Sequence, residues 1–141
     1  GNEDNLGGVT GGVVAPVAPV APVAAASVNV NVNATTAGAG TLDADGANKT
    51  FIIDDAGYTQ VIANFKAGDK LDFTNLALVS APPASQGTLT DNQVTLSSTV
   101  SSPNDTFITL TGLTNAQDVG MTNTAGLQAW MDNEFGAGTL I

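Results

Sequence analysis

Between Thr50 and Asn75 the chain reads TFIIDDAGYTQVIANFKAGDKLDFTN, and this cadence of short apolar runs and tight turns leaves few folds open. Phe51, Ile52 and Ile53 form one apolar run; an acidic turn follows, and Val61, Ile62 and Phe65 mark a second. Gly68 and Asp69 then turn the chain into a third short run, with Leu71 and Phe73 two apart and so on one face. Runs this brief, bounded by Gly and Asp, have the length of strands and not of helices.

A second strand signal lies upstream. Ser27–Asn33 alternates strictly, with Val28, Val30 and Val32 on one face and Asn29, Asn31 and Asn33 on the other. Before it, Ala-Pro-Val occurs three times from Ala15 to Val23, preceded by a Gly-rich stretch over residues 1–12. Proline at every third position forbids a helix interior and removes every third ladder donor, so an extended segment is expected. Residues 1–33 therefore read as an extended N-terminal segment, and 34–141 as the folded domain. A Val-rich extended segment buries little by local contacts, which suits either a linker followed by the first strand of the domain or a donor strand added to a neighbour's sheet. The assembly residues in this reading are Val13, Val14, Val17, Val20, Val23, Val28, Val30 and Val32. Removing residues 1–33 is then expected to leave a folded monomer.

After Asn75 the pattern is antiparallel β. Strands are expected at Leu76–Val79, Thr88–Leu89, Val94–Leu96 and Thr106–Thr111, the last two joined as a hairpin by the Ser/Pro/Asn loop Ser97–Asp105. In TFITLT, Ile108 and Leu110 share one face and Phe107, Thr109 and Thr111 the other. One helix is expected over 124–135, with Thr124 as N-cap and Gly136 just past its end. Its apolar stripe is Leu127, Trp130, Met131 and Phe135, at helical spacing. The fold class is mostly β: a β-roll or β-sandwich-like domain with one C-terminal amphipathic helix and an extended N-terminal segment.

Composition narrows the function classes. Thirteen acids face three lysines, for a net charge of -10, with no His and no Cys. Such a balance argues against nucleic acid and anionic membrane surfaces, and it leaves carboxylates for hard cations. No run of about eighteen apolar residues is present, so no membrane insertion is expected. Without His or Cys, the Ser-His and Cys-His pairs of nucleophilic catalysis cannot be built. Asp54 and Asp55 alternate to opposite faces and make poor partners for one substrate. The chain reads as a non-enzyme.

The run Val61-Ile62-Ala63-Asn64-Phe65 followed by Gly68-Asp69-Lys70-Leu71-Asp72-Phe73 resembles the closing turns of the calcium-binding β-roll in bacterial proteins exported by type I secretion. The likeness covers roughly residues 38–75. Asp43-x-Asp45-Gly46-x-Asn48 resembles a degenerate turn of the same repeat. The resemblance implies an extracellular or cell-surface location and calcium as the cofactor. By side-chain type its ligands are Asp43, Asp45, Asn48, Asp54, Asp55, Asp69 and Asp72. No basic stretch followed by an apolar core opens the sequence, so either a signal was removed or export is read from the C-terminal end, and the resemblance implies the second.

Together these readings predict a self-assembling surface or matrix filament subunit whose partner is another copy of itself. Two alternatives stand beside it. One is a C-terminal secretion and calcium-binding module of a larger adhesin or enzyme. The other is a small carbohydrate-binding module, with a glycan held on Tyr58, the aromatic that follows Gly57 at a turn.

Overall fold

The computed structural model describes residues 16–19, 26–54, 57–76, 78–80, 92–98, 105–120 and 126–141. Strand β1, Val28–Val32, keeps the alternation of its sequence: Val28 is exposed, Val30 half-buried and Val32 fully buried in the chain's own core. The chain then turns through α1, Ala34–Ala39. Asn33 caps it, its Oδ1 accepting from the Thr35 and Thr36 amides while the Thr36 hydroxyl accepts from the Asn33 amide. Next come β2 (Leu42–Asp43), β3 (Lys49–Ile53), β4 (Thr59–Ala63) and β5 (Lys70–Asp72).

The first five strands alternate between two sheets. Sheet 1 has the order β1-β3-β5, all parallel, and Leu140 bridges in parallel to Leu71 on its far side. Sheet 2 contains β2 and β4, also parallel, and continues through β8 (Thr106–Thr111), β7 (Gln93–Ser98) and β6 (Leu78–Ser80). β4 pairs with β8 in parallel, whereas β8, β7 and β6 run antiparallel. The first coils are regular: Val28 pairs with Lys49, 21 residues on, and Thr50 with Lys70, 20 residues on. One strand to each sheet per coil is the path of a β-roll, so the domain is mostly β, in two sheets with a few short helices.

The core lies between the inner faces. Phe51, Ile53 and Leu71 come from sheet 1; Ile62, Ile108, Leu110, Val94 and Leu96 come from sheet 2; all eight are fully buried. Each such side chain contributes about 1.5–3 kcal/mol relative to exposure. Helix α3, Leu127–Phe135, buries Leu127, Trp130, Met131 and Phe135, the four residues of the expected stripe. Phe135 meets Phe65 edge-on at 4.9 Å between ring centroids, and Phe65 lies 6.2 Å from Phe51, which ties the helix to the coils. The expected N-cap, Thr124, lies outside the described residues, as does the strand expected at Thr88–Leu89.

Two helices depart from the expectation of one. α1 falls in a stretch read as turns, and α2 spans Asn115–Gly120. Thr114 and Gln117 form a reciprocal cap at its start: the Gln117 amide donates to the Thr114 hydroxyl at 3.2 Å and the Thr114 amide to Gln117 Oε1 at 2.8 Å. That pair is the Thr-x-x-Gln capping pattern, a signal present in the sequence. The boundary at residue 33 also moves. Val32 packs in the same core as Phe51 and Ile53, so β1 is the first strand of the domain and not a part of the segment before it.

Candidate functional site

Where the chain leaves sheet 2 for sheet 1, successive turns stack on one another. Gly68 takes φ +98°, and a Cβ there would meet the Asn48 side chain at 2.6–2.8 Å, so only glycine permits the approach. Beside it Asp69 is fully buried. Its Oδ1 accepts from the Lys49 amide at 2.9 Å, and its Oδ2 from the Lys66 amide at 3.0 Å. Lys66 Nζ lies 3.2 Å from both oxygens and donates to the Ala44 carbonyl at 2.6 Å. The Lys49 ammonium donates to the Asp45 carbonyl. Asp69 and Lys66 thus tie one coil to the next, and lysine nitrogens occupy carbonyl oxygens of the Asp43–Asn48 turn.

Asp43 and Asp45 face the Asn64 amide, whose Nδ2 donates to Asp43 Oδ1 at 2.9 Å and to Asp45 Oδ2 at 3.3 Å. Asn64 sits at φ +62°, a conformation that Asn tolerates. That hydrogen bond, followed by the one from the Asp45 amide, lowers the Asp43 pKa below the ordinary carboxylate value. Asn64→Gly keeps the backbone shape and removes the amide. An NMR titration of this variant is expected to show the Asp43 carboxyl moving up toward its unperturbed value; an unmoved titration would assign the shift to another cause. A depressed folded-state pKa contributes stability above the unfolded value, lost as pH falls through the folded one. Because Asp43 is exposed, that contribution is small.

The remaining calcium candidates are dispersed among other partners. Asp54 Oδ1 accepts from Asn75 Nδ2 at 3.2 Å, and Asp72 Oδ1 from the amide and hydroxyl of Thr74 at 2.9 and 2.6 Å. Asn48 packs over Gly68, and Asp55 lies outside the described residues. Among the described residues no three acidic side chains gather as a metal group, and no pocket opens. Calcium takes about six to eight oxygens. The Asp43–Asp45 turn offers two carboxylates, with neighbouring carbonyls already engaged by lysine.

Tyr58 is no glycan platform. It is buried, and its hydroxyl donates to the Val32 carbonyl at 3.0 Å and also meets the Asp54 carbonyl, pinning the first two coils from within. Its place after Gly57 at a turn suggests exposure; the inward reach of the ring follows only from stacking.

The assembly residues fall into three groups. Val13, Val14, Val20 and Val23 lie outside the described residues; Val17 is 85% exposed; Val28, Val30 and Val32 belong to β1. Donation of β1 away from its own domain is therefore not what the structure presents, because Val32 would leave a filled core site. Among the described residues, β1 pairs along one edge alone, with β3. The large hydrophobics left exposed there are Val17, Val28 at 50% and Ile141 at 49%. Among the described residues no helix is long and apolar enough to cross a membrane. Comparison with protein-family models, curated proteins and solved structures finds no match.

Proposed function

We propose that the protein is an exported, non-enzymatic structural subunit that associates with further copies of itself through the open edge at its first strand. The observation that carries this reading is the pairing of β1 along one side alone among the described residues, with Val28 in that strand half exposed. An unpaired strand edge is a template for another chain, and proteins that do not use such an edge blunt it with charge, a bulge or proline within the strand. VNVNV carries none of these.

Negative-stain microscopy and sedimentation of the full chain test the reading. Fibres one subunit wide are expected, since head-to-tail contacts propagate unless they close a ring. Dispersed monomers would overturn it. They would favour a C-terminal secretion and calcium-binding module of a larger adhesin or enzyme, which the likeness over residues 38–75 and the alternating path between sheets also support. An extracellular location belongs to both readings. Calcium, which the resemblance implies, would need oxygens beyond those of Asp43 and Asp45 in either, and a melting temperature higher in calcium than in chelator is the result expected of it. Equal melting temperatures would remove it.

A further inference from the structure

We infer that β1 of one copy pairs with the Thr139–Ile141 segment of the next, extending sheet 1 from copy to copy as a continuous parallel sheet. The inference rests on the self-association proposed above and names the two edges that meet.

Backbone polarity sets the argument. Val28 donates to the Asn48 carbonyl and Val32 accepts from the Asp54 amide, both at 2.8 Å, so the even residues of β1 spend their polar groups on β3. By alternation, the N–H and C=O groups of Asn29 and Asn31 face the open side. At the far edge, the Leu71 amide donates to Thr139 and Leu71 accepts from the Ile141 amide, again at 2.8 Å. Thr139 and Ile141 therefore face β5, and Leu140 turns its own N–H and C=O outward. A parallel pair forms when one residue's N–H and C=O bond to the two flanks of its opposite number, as Leu71 does with Thr139 and Ile141. Leu140 set between Asn29 and Asn31 repeats that arrangement, opposite Val30.

Side chains agree with the same register. Val30 and Leu140 both face the core, so the joint continues the inner apolar row Val30, Phe51, Leu71, Leu140. On the outer face Asn31 falls beside Ile141. A slip of one residue would turn Leu140 against an outward asparagine and lose both matches. The strands already run in one direction, so simple translation brings the edges together. The half-exposed apolar residues Val28 and Ile141 lie at these two edges of one sheet. Among the described residues sheet 2 has five strands, and sheet 1 has three plus the Leu140 bridge, so an added strand evens the two.

The chain has no cysteine, which makes cross-linking clean. Neighbouring strands lie about 4.8 Å apart, within disulfide reach. The full-length double variant Asn31→Cys with Ile141→Cys is expected to give a ladder of covalent multimers on oxidation, and either single variant nothing beyond a dimer. Asn31→Pro removes only an outward donor and should abolish assembly while the thermal melt stays within a few degrees. Assembled protein without a ladder would overturn the edge assignment and leave self-association standing. Monomers in every variant and in the parent chain would overturn both. Fibres that persist in Asn31→Pro would place the joint elsewhere.

Discussion

Asp69→Ala is expected to destabilise the domain by about 3 kcal/mol, read from urea unfolding. The substitution strips acceptors from the partly buried Lys49 and Lys66 amides and leaves Lys66 Nζ without its carboxylate partner. Breaking a buried pair by removing one member costs about 3–5 kcal/mol, and the lower end applies because the Lys66 side chain is 36% exposed. Set against a total stability of about 5–15 kcal/mol, this is a large share. A loss under about 1 kcal/mol would mean that the coils hold together without the carboxylate, through their ladder and apolar row alone. Asp69→Asn, which keeps the volume and one acceptor, should fall between the two.

A chain shortened by residues 1–33 is expected to be unfolded or molten, whereas one shortened by 1–26 should melt close to the full-length protein. The longer deletion removes β1, opens the core position of Val32, and strips the Asn33 cap from α1. It also leaves the Tyr58 hydroxyl without the Val32 carbonyl. Cavity formation at Val32 and loss of the cap cost about 1–2 kcal/mol each before the ladder is counted. Near-UV circular dichroism and a thermal melt of the two truncations decide the matter. A cooperative melt in the shorter chain would show that β3 can serve as the first strand.

Local features of this domain are legible residue by residue. The valines of Val28–Val32, the inward pair Ile108 and Leu110, and the stripe of α3 all follow from a period of two or of 3.6, which fixes what one side of an element buries. The reciprocal caps of α1 and α2 are likewise written locally, although the turn-like composition around them hides both helices. What periodicity leaves open is the partner. Nothing within Thr59–Ala63 specifies that it lies parallel to Thr106–Thr111, nearly fifty residues away, because alternation is the same for either orientation and any neighbour.

The candidate site divides along the same line. Gly68, Asp69 and Lys66 announce a tight charged turn, but the residues that make Asp69 a clasp, the Lys49 amide and the Ala44 carbonyl reached through Lys66, come from the coil before. Seven oxygen-bearing side chains resemble a metal set in one dimension; in three, five of them are engaged elsewhere, Asp43 and Asp45 by Asn64, Asp69 by Lys66, Asp54 by Asn75 and Asp72 by Thr74. Tyr58 turns inward for a related reason, since its hydroxyl finds carbonyls only where two coils meet. The sequence by itself determined the faces of Val28–Val32 and Thr106–Thr111 and the mostly β class, but not the short strand Leu42–Asp43, which lies in a stretch that reads as turns. Only the tertiary structure decided which strands share a sheet, which carboxylates are already spent, and, among the described residues, which strands pair along one side alone. Most of those outcomes depend on contacts about twenty residues or more apart, such as Val28 with Lys49, Lys49 with Asp69 and Asp54 with Asn75, which no local pattern encodes.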